Sequence, residues 1–94
     1  MSVRFAPEAV ADLAATLEYI SERNPAAARR LADRVLDVIH HIASGDFDGP
    51  EQVLSSGEIV RSWPVHPLRF YYQRSGADLE VLRVYHHARQ PITE

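Results

Sequence analysis

The sequence contains no cysteine and no lysine, and all ten of its basic residues are arginine. The first absence excludes a disulfide scaffold and any thiolate zinc site. The second excludes phosphate loops of the GxxxxGK type, and by itself it reads as a mark of genomic base composition. No apolar run approaches the ~20 residues that a membrane helix needs. The opening stretch MSVRFAPEAV has no apolar core of the kind a secretory signal carries, so a cytoplasmic protein is expected. The chain shows no internal repeat and no low-complexity tract. HExxH, HxH and GxSxG are also missing, and no serine has neighbours that would activate it. No cofactor and no metal are expected.

What is present is an ordinary globular composition, with 46% apolar and 24% charged residues in a chain of 94. That length predicts one domain over residues 1–94, with one modest core. The net charge of −3 conceals an asymmetry. Residues 1–57 hold nine acids against five arginines; residues 58–94 hold four against five, with three of the five histidines. The two halves are therefore candidates for surfaces of different sign.

Hydrophobic spacing divides the chain into two parts. Ser2 to Phe5 alternates and predicts a short first strand. Pro7 suits a first helical turn, and Glu8 and Asp12 put negative charge where the helix dipole favours it. Val10, Leu13, Ala14, Leu17 and Ile20 then form one apolar helical stripe. Asn24-Pro25 ends that helix and caps the next, whose stripe is Ala28, Leu31, Ala32, Val35, Ile39 and Ile42, with Gly45 as its stop. So short a link predicts an antiparallel helix hairpin. Residues 45–57 read as loop. From Glu58 the period changes to two, giving strands over Glu58–Val65, Leu68–Gln73 and Leu79–His86. The prediction is α+β: a strand and helix hairpin packed on one face of a C-terminal antiparallel sheet.

Asp46, Asp48 and Glu51 imitate part of a calcium loop, but the glycine follows Asp48 directly and the twelfth position is Gly57, so a solvated acidic loop is expected. The pairs His40-His41 and His86-His87 are poorly spaced to share a metal ion, because adjacent residues diverge on a helix and on a strand. His40 and His41 are expected to flank the helix hairpin without a special role. The arginines of the sheet carry more information. With the strands in simple register, Arg61, Tyr71 and Arg83 share one face, followed by His86, His87 and Arg89. Such a surface binds phosphate or an acidic peptide through guanidinium forks. The same pattern also describes a solvated sheet face on which arginine stems cover aromatic neighbours. A histidine, a tyrosine and an arginine are also the minimum set for metal-free RNA cleavage.

The ordered combination of Phe5-Ala6-Pro7-Glu8-Ala9-Val10-Ala11-Asp12-Leu13, Asn24-Pro25-Ala26-Ala27-Ala28, Val60-Arg61-Ser62-Trp63-Pro64-Val65, Leu68-Arg69-Phe70-Tyr71-Tyr72 and Leu79 through Arg89 resembles the ParE branch of the RelE/ParE toxin superfamily. The resemblance spans nearly the whole chain. It implies a helix hairpin on an antiparallel sheet and a growth-inhibiting toxin. It also implies DNA gyrase as target and a cognate ParD-like antitoxin of the ribbon-helix-helix type, forming a hetero-oligomer. ParE-type members are inhibitors rather than enzymes, and no sequence-specific nucleic-acid binding is expected. RelE-type members cleave mRNA on the ribosome; on that alternative His86, His87, Arg61 and Arg83 would be catalytic. A third alternative is a non-toxic module that only binds its antitoxin. The basic loop of the nucleases has no counterpart here, since residues 45–58 carry four acids and no base. That departure favours gyrase. The toxic surface is assigned to Arg61, Arg83, His86, His87 and Arg89. Antitoxin contact is assigned to Leu36, Val38 and Phe47, which either line a groove or finish the core, and to Arg69 and Tyr71 on the sheet.

Overall fold

The structure is a computed structural model and describes residues 2–46 and 48–86. Strand β1 (Val3–Phe5) leads into helix α1 (Pro7–Arg23) and helix α2 (Pro25–Ala43). Strands β2 (Glu51–Val53), β3 (Ile59–Val65), β4 (Leu68–Ser75) and β5 (Asp78–His86) follow. The sheet order is β1-β5-β4-β3-β2. The last four strands pair antiparallel in sequence, while β1 pairs parallel with β5.

The helix junction forms as the sequence predicts. Both helices open on a proline, where the missing N–H is no loss. Asn24 serves both ends: its N–H bonds the Ile20 carbonyl, and its side chain accepts from the Ala27 amide at 3.1 Å. Gly45 takes φ +81°, the left-handed turn that follows a helix end most easily in glycine.

Three features differ from the sequence reading. First, a short fifth strand, β2, lies inside the stretch expected to be loop. Its three residues are too few for alternation to register. Gly49 just before it lies so close to β3 that an added Cβ would sit 1.7 Å from the Ser62 carbonyl oxygen. Second, the register is interrupted. Tyr71 pairs with Arg83 but Tyr72 pairs with Val81, so Leu82 is the extra residue of a β-bulge. Third, the α1 stripe is rotated. Ala9 is fully buried, whereas Val10 is 53% exposed.

Alternation along β4 gives the sheet two apolar faces, and the bulge decides which residues of β5 join each. The helix side buries Leu68, Phe70, Tyr72, Leu79, Val81 and Val84 against Leu31, Val35, Ile39 and Ile42 of α2. The outer side holds a smaller cluster of Leu54, Val60 and Tyr71, with Leu82 and Tyr85 against it. Val81 and Tyr85 would share a face in a regular strand. The extra residue puts them on opposite ones.

Candidate functional site

β1 stops at Phe5, whose partner is Val81, so among the described residues this edge of β5 has no neighbouring strand beyond that point. Asp12 of α1 fills the gap. Its Oδ2 accepts from the Val84 amide at 3.0 Å and from Arg83 Nε at 2.9 Å, and its Oδ1 accepts from Arg83 Nη2 at 3.1 Å. Arg83 is thus held by a two-pronged carboxylate contact, which raises its pKa further above the ordinary arginine value. Its guanidinium also lies 4.8 Å from the centroid of the Tyr85 ring.

Arg61 is occupied in a different place. It pairs with Tyr72, not Tyr71, so the expected single face of Arg61, Tyr71 and Arg83 does not form: Tyr71 faces Ser62 and Arg83. Arg61 Nη1 donates to the Gly49 carbonyl at 2.7 Å and Nη2 to Glu51 Oε2 at 3.0 Å, while Nε lies 3.4 Å from Asp48 Oδ2. Asp48 is the centre of this cluster. Its carboxylate accepts the Tyr72 hydroxyl proton, the Gly49 amide at 3.2 Å and Arg74 Nε at 3.2 Å. Arg74 also donates to the Ile42 carbonyl at 2.7 Å, at the end of α2. Burial pushes the Asp48 carboxyl up, but Tyr72, Arg74 and Arg61 together hold it below the ordinary value of 3.8. Burial and the Asp48 carboxylate push the Tyr72 hydroxyl up to about 12. The loop expected to be a solvated acidic stretch is instead pinned to the sheet. His41, expected to be idle, bonds Asp46 through Nδ1 at 2.7 Å.

The remaining candidates scatter. Arg69 donates to Ser62 Oγ at 2.9 Å on the outer face. Tyr71 is buried there, edge-on to Tyr85 at 5.5 Å between ring centroids. His86 ends β5 opposite Leu68. That position is four residues along β4 from the partner of Arg61, about 13 Å at strand spacing. Val38 packs against the main core, whereas Leu36 is 68% exposed. Leu36 lines a shallow groove with Phe5, Val10, Leu13, Ala14 and Leu17. Phe47, His87 and Arg89 lie outside the described residues. Among the described residues no group of three or more His, Asp or Glu could hold a metal ion.

Chemically, a phosphate clamp needs guanidinium donors with open valences. Arg61 and Arg83 each direct theirs to a carboxylate of the same chain. Sequence reasoning missed the partners, Asp12 and Asp48. The one signal was Asp12 itself, an acid directly before Leu13 of the apolar stripe.

The family model for the ParE toxin of the type II toxin–antitoxin system parDE matches residues 3–91. The chain belongs to the ParE toxin family. The match includes every β-strand and both helices, so membership does not rest on one motif. Among solved structures the fold is similar to a chain of the chromosomal ParDE toxin–antitoxin system from P. aeruginosa, with TM-score 0.72 and 18% identity. That likeness covers 92% of this chain and 95% of the other. No curated protein sequence matches significantly. The α+β architecture, two helices on a five-stranded sheet, is the one the ParE resemblance implied. No helix among the described residues is long and apolar enough to cross a membrane.

Proposed function

We propose that the chain is a growth-inhibiting toxin that acts in the cytoplasm on DNA gyrase by protein–protein contact, and that a ParD-like ribbon-helix-helix antitoxin neutralises it. Membership of the ParE family over residues 3–91 supports the toxin reading. The observation that favours gyrase over mRNA is the internal pairing of Arg61 with Asp48 and Glu51, and of Arg83 with Asp12. On a nuclease these arginines would stabilise the charge of the cleaved phosphate. Here that field is already met by carboxylates, and the acidic chain as a whole repels RNA. The antitoxin reading draws on the groove between α1 and α2, where exposed Leu36 and Val10 offer an apolar seat to an amphipathic helix. Arg69 on the outer face is placed to receive an acidic residue.

The test is a gyrase supercoiling and cleavage assay with folded, antitoxin-free protein. Linear DNA should accumulate in an ATP-dependent manner. An unaffected gyrase, with the same protein arresting growth in cells, would overturn the gyrase reading and turn attention to the ribosome. Normal growth on induction without antitoxin would favour a non-toxic binding module.

A further inference from the structure

At the end of the molecule where the helix junction meets the β3–β4 turn, a second groove of about 400 Å³ opens beside α1. Ala15, Thr16, Ile20 and Pro67 give it a largely apolar floor, and Tyr19 and His86 stand at its sides. It lies on the opposite side of α1 from the Leu36 groove. At about 100° per residue the two sets of α1 lining residues centre roughly 140° apart, with Leu13 and Ile20 adjoining on the core-facing stripe between them.

The rim of this groove is basic in a way that differs from the rest of the chain. The Arg23 guanidinium lies 3.7 Å from the Tyr19 ring centroid and donates to the Tyr19 carbonyl at 3.0 Å. Arg34 donates to the carbonyl of His66, next to Pro67, at 2.7 Å. Both are thus positioned by backbone carbonyls, and neither makes an ion pair with a described residue. Arg61, Arg74 and Arg83, in contrast, each have a carboxylate. Arg30 sits one turn before Arg34 on the same side of α2. The nearby acids are turned away or used. Glu22 and Glu18 project roughly 90° or more from the groove side of α1. Asp12, which shares that side, is committed to Arg83 and Val84. Of the other acids of this half, Glu8 lies at the opposite end of α1, Asp33 projects about 100° around α2 from Arg34, Asp37 pairs with His41 at 3.6 Å, and Asp46, Asp48 and Glu51 lie beyond the far end of α2.

We propose that this end of the molecule docks an acidic segment of the toxin's protein target, with one large apolar side chain in the groove and flanking carboxylates on Arg23 and Arg34. The proposal rests on the reading of the chain as a toxin that acts by protein contact. Charge complementarity supplies the flanking contacts, and the apolar floor supplies the anchor. A nucleic acid fits less well. The Arg23 guanidinium already covers one face of Tyr19, a phosphate backbone has nothing apolar for the floor, and the net charge is −3. His86 ties this groove to the end of β5, where the toxic surface was assigned from the sequence.

The test compares three full-length variants with the wild type: Arg23→Glu/Arg34→Glu, Ala15→Trp to fill the groove, and Arg29→Glu. The last makes the same kind of charge change about 140° around α2 from Arg34. The readouts are growth arrest on induction and the protein concentration giving half-maximal gyrase cleavage, with thermal melts to verify folding. The first two variants should raise that concentration at least tenfold and lose growth arrest, while Arg29→Glu behaves as wild type. Ala15→Trp keeps the test open if charge reversal unfolds the chain. Equal gyrase poisoning by all variants would overturn the proposal and leave the gyrase reading intact. Growth arrest without any effect on gyrase, lost in the first two variants, would uphold the proposal and overturn gyrase as target. Binding of the wild type to duplex DNA alone, abolished by Arg23→Glu/Arg34→Glu, would make phosphate the occupant and overturn it. A wild type with neither effect would overturn both.

Discussion

Asp12 performs at one position what an additional strand would perform along an edge. Beyond Val81 the edge of β5 that faces away from β4 has no strand on it among the described residues, and an unpaired N–H there costs about 1–3 kcal/mol. The Asp12 carboxylate meets the Val84 amide and fixes Arg83 against the same edge. Replacing Asp12 by alanine removes both contacts and leaves a half-buried guanidinium without its counter-charge. The expected loss is roughly 2–3 kcal/mol. Asp12→Asn keeps one acceptor for the Val84 amide and should lose about half as much. A domain of this size shifts by roughly 4–8 °C per kcal/mol, so thermal melts resolve the two variants from wild type and from each other. An Asp12→Ala variant that melts with wild type would show the edge is held by packing alone. The same experiment separates stability from toxicity at Arg83, because Asp12→Ala frees that guanidinium without deleting it.

At the scale of elements, the α2–β2 connection behaves as a clamp with two ionisable ends. Asp48 fastens it to the sheet, and its carboxyl is held below 3.8. That contribution is complete above the unfolded value and is lost as pH falls through the folded one. His41 fastens it to α2, and the hydrogen bond to Asp46, aided by the Asp37 charge, raises its pKa above 6.5. That contribution is complete below 6.5 and is lost as pH rises through the raised value. The clamp is therefore fullest between about pH 4 and 6.5. Melting temperatures followed against pH should fall on both sides of that window. Asp48→Asn should flatten the acid side and His41→Gln the other; an unchanged profile in either variant would remove its residue from the clamp. This element also marks where the sequence stops being legible. Both helices, the Asn24 junction and four of the strands follow from local spacing and capping, which neighbours in the chain decide. β2, the bulge at Leu82 and the Asp48 cluster depend on residues 6 to 26 positions apart meeting across the sheet. Alternation carries no record of those meetings. The β3–β4 register, which sets Arg61 opposite Tyr72, separates Arg61 from the Tyr71–Arg83 pair, and a sequence that shows which arginines lie in strands does not show which residue each one faces.

For the whole molecule, the consequence is two apolar grooves on opposite sides of one helix, with different charge around them. The Leu36 groove is the seat argued for the antitoxin helix, and the Arg23–Arg34 end is the seat argued for the target. If both assignments hold, neutralisation and toxicity separate genetically. Leu36 is 68% exposed, so Leu36→Glu should alter stability by no more than about 0.5 kcal/mol. Burying a leucine against a partner is worth about 1.5–3 kcal/mol, and every 1.4 kcal/mol is tenfold in affinity. Leu36→Glu should therefore weaken antitoxin binding by roughly ten- to a hundredfold. Cells expressing this variant with the antitoxin should arrest as they do without it, because the opposite face of α1 is untouched. Binding measured by calorimetry on the purified pair supplies the affinity, and growth curves supply the separation. Antitoxin that still rescues and binds Leu36→Glu as tightly as wild type would place its contact elsewhere on the fold. Loss of both rescue and arrest would mean that antitoxin and target compete for one surface, and neutralisation would then act by direct occlusion rather than from the far side of α1.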